Sequence, residues 1–157
     1  PQPLDIRVIF SHAIDLLHSQ AEAKQIALKH SIQGEVLVYA DYNMLTTVMR
    51  NLVSNAIKFT NPGGVVELSV ISEKYETTIS VADNGVGIPP EKARTLFQID
   101  EKFQRAGTAG EKGTGLGLIL CKEFIEKLGG RIWVESKEGQ GTTFRFTLPK
   151  VVTPENP

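Results

Sequence analysis

The sequence predicts one α/β domain: a two-layer sandwich in which a mixed, mostly antiparallel sheet carries three main helices on one face. Three observations predict it. Helical and strand-like stretches follow one another in groups, without the regular alternation of a β-α-β series. Two β-rich stretches, 65–72 and 75–81, are nearly adjacent, which is the pattern of an antiparallel hairpin. The length, 157 residues, suits a single domain with its own core.

Each element can be justified in turn. Along 8–25, Ile9, Ala13, Leu16, Leu17 and Ala21 fall at helical spacing. Residues 26–32 alternate as a strand does, Gln33-Gly34 is a turn, and 35–39 form a second short strand. Asp41 is a natural N-cap, because its carboxylate can accept from the free amides of a first turn. The helix it opens runs to about Phe59, with Leu45, Val48, Met49, Leu52 and Ala56 as its apolar stripe. Asn61-Pro62-Gly63-Gly64 ends that helix and turns the chain into the hairpin. Residues 83–90 form a Gly/Pro loop, and 91–97 read as a short helix. The stretch 99–113 carries many charges and three glycines (Gly107, Gly110, Gly113) but few apolar residues, the composition of a mobile loop. Residues 116–128 form an amphipathic helix stopped by Gly129-Gly130. Strands at 131–135 and 142–148 flank a turn at 139–141. The domain thus spans 1–150, and 151–157 are a tail or linker.

Bulk composition narrows the function. With 17 basic and 18 acidic residues the net charge is -1, which gives no electrostatic reason to expect nucleic acid or an anionic membrane. The single cysteine, Cys121, has no disulfide partner and no second ligand for a structural zinc. It reads as a small buried apolar residue and fits a reducing, cytoplasmic setting. No apolar run approaches the ~20 residues of a membrane helix. Residues 1–5 lack the basic start and apolar stretch of a signal peptide. The chain opens on Pro1, not Met, and is expected to be a fragment of a longer protein.

Three elements carry candidate chemistry. On the helix after Asp41, Asn51, Asn55 and Lys58 share a face at i, i+4 and i+7. Asparagine is a mediocre helix former, because its amide competes with the backbone. Its carbonyl oxygen suits a hard cation such as Mg²⁺, and lysine suits phosphate. Taken alone, the same face could simply be solvated. The second element is Asp83-Asn84-Gly85-Val86-Gly87-Ile88, directly after a strand. Gly85 and Gly87 let backbone approach a flat ligand. The Asp83 carboxylate could accept from an adenine amino group and would reject the carbonyl of guanine. A plain Asp-Asn-Gly turn has the same residues. The third is Gly113-Thr114-Gly115-Leu116-Gly117-Leu118, which opens a helix whose free amides and dipole attract phosphate. It is neither a P-loop nor the dinucleotide G-x-G-x-x-G.

Together and in this order, the elements resemble the GHKL ATPase superfamily of gyrase B-type topoisomerases, heat-shock chaperones, histidine kinases and mismatch-repair ATPases. They most resemble the catalytic and ATP-binding domain of sensor histidine kinases (HATPase_c, the Bergerat ATP-binding fold). Asn51-Leu52-Val53-Ser54-Asn55-Ala56-Ile57-Lys58-Phe59-Thr60 resembles the N box, Asp83-Asn84-Gly85-Val86-Gly87-Ile88-Pro89 the G1 box, and Gly113 to Leu118 the G2 box. The ending Gly130-Arg131-Ile132-Trp133-Val134-Glu135-Ser136, then Gly139-Gln140-Gly141-Thr142-Thr143-Phe144 and Leu148-Pro149, has the same look. The resemblance runs from about Leu4 to Pro149.

The resemblance implies roles for particular residues. Asn55 would hold Mg²⁺ against the phosphates of ATP. Asn51 stands where the ATPase branches carry a catalytic glutamate. An amide cannot act as a general base, so the resemblance implies a kinase and not a fast ATPase. Lys58 would reach the phosphates, Phe59 would pack near the adenine, Asp83 would bind its amino group, and Gly85, Gly87 and Ile88 would also bind ATP. Gly113, Gly115 and Gly117 would flank the phosphates, and Thr114 and Leu116 would also bind ATP. The stretch between Gly87 and Gly113 would be the ATP lid. One departure is the F box: Phe97 and Phe103 are six positions apart here, wider than the usual paired aromatics. Arg105 would correspond to the lid arginine that meets the γ-phosphate.

The same resemblance implies autophosphorylation of a histidine in two-component signalling. The histidines present are His12, His18 and His30; His12 is followed by Ala13-Ile14-Asp15, with no adjacent acid to serve as base. The acceptor is therefore expected on a separate dimerisation domain of a homodimeric parent, membrane-bound or soluble, with a response regulator downstream. Neither nucleic acid nor membrane contact is expected of this domain. Two other readings stay open: an anti-sigma-type serine kinase of the same fold, and a nucleotide-dependent interaction module without catalysis.

Overall fold

The chain leaves its first strand through Asp5, whose Oδ1 accepts from the Arg7 amide at 2.9 Å and caps α1 (Ile6–Ala23). In the computed structural model, residues 1–97 and 117–150 are described. α1 buries Ile6, Ile9, Phe10, Ala13, Leu17 and Ala21. Leu16, counted above as part of the helical pattern, faces away from that stripe and is 52% exposed. β2 (Ala27–Ser31) and β3 (Leu37–Ala40) follow.

Asp41 caps α2 (Tyr42–Lys58) as expected, its Oδ1 accepting from the Met44 amide at 2.9 Å. Leu45, Val48, Met49, Leu52 and Ala56 are all buried, and Val53 and Ile57 join them. At the far end the Thr60 hydroxyl donates to the Ala56 carbonyl at 2.7 Å, which satisfies a carbonyl the helix leaves free. The expected hairpin is β4 (Val65–Ser72) with β5 (Glu76–Asp83), paired from Val66↔Asp83 to Ser72↔Thr77. α3 is a single turn, Pro90–Ala93, shorter than the expected 91–97, and none of its residues is buried to prolong it. Among the described residues, α4 (Gly117–Lys127), β6 (Ile132–Lys137) and β7 (Gly141–Pro149) complete the order.

Five strands form one sheet in the order β2-β4-β5-β7-β6. β2 runs parallel to β4, and the other pairings are antiparallel. α2 packs against both α1 and α4, and the helices lie on one face. Val66, Leu68, Ile79, Val81, Phe144, Phe146 and Leu148 of the sheet meet that layer in the core. This is the two-layer, mixed and mostly antiparallel architecture that the sequence predicts.

The strands around Gly34 differ from a simple local reading. β2 joins the large sheet, whereas β3 leaves it and pairs with β1 (Gln2–Asp5) in a separate two-stranded sheet, from Gln2↔Ala40 to Asp5↔Leu37. β1 is four residues long and contains Pro3, too short for its alternation to be seen. The expected mobile loop 99–113 and the tail 151–157 lie outside the described residues, and with the loop most of the lid expected between Gly87 and Gly113. Among the described residues, no helix is long and apolar enough to cross a membrane.

Candidate nucleotide site

The C-terminal half of α2 builds one wall. Asn51, Asn55, Lys58 and Phe59 are all half-buried there. The Lys58 ammonium lies over the Phe59 ring, 5.1 Å from its centre. Asn51 faces the first residue of α4: a side chain at Gly117 would begin 3.6 Å from the Asn51 amide carbon. Asn51 also hydrogen-bonds Cys121. Cys121 is fully buried, with its thiol 3.8 Å from the Val48 carbonyl. Burial pushes the thiol pKa up to about 12, outweighing the Asn51 bond, so this cysteine is an inert packing group as expected. A cleft of about 320 Å³ opens beside Asn51 and Gly117, lined also by Arg50, Ile119, Leu120 and Glu123.

The loop after β5 builds the second wall. Asp83 Oδ1 accepts from the Gly85 amide at 2.9 Å, and the Thr142 amide, across the ladder on β7, also donates to this side chain. Both bonds favour the carboxylate, yet burial outweighs them and raises its pKa to about 6. Asn84 serves the fold: its Oδ1 accepts from the Val65 amide at 2.8 Å and holds the start of β4. The two walls meet where the Val86 amide donates to the Phe59 carbonyl at 3.1 Å.

The glycines of this loop approach the protein's own backbone. A side chain at Gly85 would run into the Phe59 carbonyl. Gly87 has φ 73°, and a side chain there would collide with the Lys137 carbonyl. Beyond it, the Ile88 amide donates to Ser136 Oγ at 2.7 Å, and that hydroxyl donates on to the Gly141 carbonyl at 3.0 Å. Ser136 Oγ also lies 2.9 Å from Thr142 Oγ1. Ser136 and Thr142 thus hold the floor beneath Asp83. Neither residue stands out in the sequence, because a strand hydroxyl is ordinary until the fold sets it against the Ile88 amide and the Asp83 loop.

The structure therefore brings together Asn51, Asn55, Lys58, Phe59, Asp83, Gly85, Gly87, Ile88 and Gly117. Arg105, Gly113, Thr114, Gly115 and Leu116 lie outside the described residues. Among the described residues, no group of three His, Cys, Asp or Glu side chains could hold a metal ion.

Comparison with known proteins gives the family. A family described as histidine kinase-, DNA gyrase B- and HSP90-like ATPase matches residues 40–152. The chain belongs to that family. Its relatives there include sensor kinases. The adaptive-response sensory kinase SasA of Crocosphaera subtropica is 44% identical over 113 residues, covering 71% of this chain. The chain spans 29% of the length of that relative. The nucleotide-free catalytic domain of the histidine kinase ThkA superposes with a TM-score of 0.81 at 28% identity, covering 95% of this chain and 97% of that one. ThkA in complex with the response regulator protein TrrA gives a TM-score of 0.78 at 25% identity, covering 99% of this chain and 43% of that one.

Proposed function

We propose that residues 1–150 are the catalytic, ATP-binding domain of a sensor histidine kinase, which binds Mg-ATP and presents its γ-phosphate to a histidine on a separate dimerisation domain. The observation that carries the reading is Asp83. It is a half-buried acceptor at a strand end, beside two glycines that admit no side chain and against the end of the Asn55–Lys58 helix face. A carboxylate that burial has deprived of water gains from a neutral donor such as the adenine amino group. It repels the carbonyl that guanine offers in that place. Ile88 and Phe59 supply apolar surface for the base.

The phosphates would lie toward Asn55 and Lys58. The described residues offer no carboxylate cluster, so Mg²⁺ would be held by Asn55 together with phosphate oxygens, where it would neutralise their charge. Lys58 adds a positive charge at the end of α2. The resemblance also assigns Arg105, Gly113, Thr114, Gly115, Leu116 and Gly117 to ATP. Asn51 is a neutral amide engaged with Cys121, so no base stands there to activate water. That favours holding ATP for transfer over hydrolysing it. Catalysis by such a domain rests on positioning and charge neutralisation. The base for the acceptor would come from the partner domain.

The similarity to ThkA, solved with a response regulator, supports a response regulator as the downstream partner. A homodimeric parent with this domain in the cytoplasm completes the proposal. The test is to incubate the chain with the dimerisation domain of its parent and γ-labelled ATP. An acid-labile phosphoprotein is the expected product. An acid-stable one would assign the domain to serine phosphorylation, and ATP binding without any labelled protein would leave an interaction module.

A further inference from the structure

Among the described residues, Lys24 is the only charged residue that is buried, at 9% exposure. Its ammonium donates to the Ile57 carbonyl and to the Lys58 carbonyl, each at 2.9 Å. These belong to the last turn of α2, where carbonyls lack partners within the helix and the helix dipole favours a cation. Lys24 itself sits more than thirty residues earlier, in the corner between α1 and β2.

That corner is built to hold it there. Gln25 has φ 58°, a conformation costly for a residue with a side chain. The reversal is closed by the Gln25 amide on Glu22 O at 3.0 Å and the Ile26 amide on Ala21 O at 2.9 Å. Two residues on, the Ala27 amide donates to the Gly64 carbonyl at 3.0 Å. The corner thus grips the chain on both sides of the exit from α2, at Ile57-Lys58 and at Gly64.

Lys58 and Phe59 follow directly from the gripped carbonyls. The Phe59 carbonyl receives the Val86 amide, and Gly85 packs against that same carbonyl. Gly85 in turn donates to Asp83. A continuous path of hydrogen bonds and covalent chain therefore runs from the Lys24 ammonium through the end of α2 and Val86-Gly85 to the Asp83 carboxylate. We infer that Lys24 is a positioning residue for nucleotide binding: it fixes the end of α2, and with it the seats of Lys58, Phe59 and the Asp83–Gly87 loop. The inference rests on the nucleotide reading above. Lys24 acts through these groups and needs no contact with ATP.

The test compares Lys24→Met with Leu17→Ala, which removes buried apolar atoms from the neighbouring helix, in the full chain. Three quantities are read: Tm, Kd for Mg-ATP by calorimetry, and hydrogen exchange of the Val86 amide without nucleotide. Lys24→Met is expected to weaken Mg-ATP binding about tenfold, as the Ile57 and Lys58 carbonyls lose the ammonium that ties them to the α1–β2 corner. It should also speed Val86 exchange beyond any change in Leu17→Ala. Leu17→Ala should lower Tm while holding Kd within about twofold of wild type, since it leaves the path intact. Lys24→Arg, which keeps the charge and donors, should recover most of the affinity. If methionine abolishes folding, Lys24→Gln is the milder variant, with the same ordering expected. A wild-type Kd and an unchanged Val86 amide in the methionine or glutamine variant would overturn the role alone. A wild-type chain that binds no ATP would overturn the nucleotide reading and this role with it, whatever Val86 does.

Discussion

Replacing Asp83 with asparagine should stabilise the ligand-free domain while weakening its hold on ATP. The carboxyl pKa is raised from the ordinary 3.8 to about 6, chiefly by burial. For an acid with a raised folded-state pKa, the stabilisation belongs to the protonated form. It is fully present below the unfolded value and is lost as the pH rises through the folded one. The displacement corresponds to up to about 3 kcal/mol carried as a cost once Asp83 is ionised. An amide has no charge to bury and still offers an oxygen to the Gly85 and Thr142 amides. Asp83→Asn should therefore gain up to about 3 kcal/mol at about pH 7.5, with the gain fading towards zero near pH 4. Urea unfolding of both proteins across that range measures it. A loss of stability in the variant at neutral pH, or a gain of equal size at both ends, would refute the reasoning.

Other predictions follow from the same geometry. Mg-ATP affinity of the wild type should fall as the pH drops through about 6, because protonation removes the charged acceptor at Asp83; calorimetry over pH measures this, and the dependence should vanish in Asp83→Asn. Cys121, buried with its thiol pushed up to about 12, should resist a thiol reagent in the native protein and react once urea opens the fold. Gly87→Ala should cost about 2 kcal/mol or more in urea unfolding, since both its φ and the Lys137 carbonyl exclude a side chain.

What could be read from the sequence follows a physical division. Asp41 and the stripe from Leu45 to Ala56 were legible because capping and helical periodicity are local, and each lies within a few residues of what it contacts. The β4-β5 hairpin was legible for the same reason. β1 and the partner of β3 were not, because a four-residue strand chooses its neighbour through the whole tertiary arrangement. Leu16 fitted the helical spacing and still faces solvent, since Ile6, Phe10 and Leu17 already fill the contact with the core.

The site divides in the same way. Asn55, Lys58, Asp83, Gly85 and Gly87 stand out because their residue types are unusual for their elements. Ser136 and Thr142 do not, for a hydroxyl or an amide near a strand end is ordinary until the fold sets it beneath Asp83. Lys24 is the extreme case: in sequence it is one lysine among seventeen basic residues, and only the folded chain shows its ammonium on the last carbonyls of α2. The glycines of the loop were read as room for a ligand. The structure adds that Gly85 and Gly87 are also required by the protein's own backbone, at Phe59 and Lys137.

The central claim is that the end of α2 and the loop after β5 together form a site for Mg-ATP. Calorimetric titration of Mg-ATP into the wild type, Asn55→Ala and Asp83→Asn tests it most directly, with Mg-GTP as the control nucleotide. The account predicts that the wild type binds ATP and not GTP, and that each variant loses about tenfold or more in affinity, as expected when a buried polar partner is removed. Unchanged Mg-ATP affinity in both variants would contradict it.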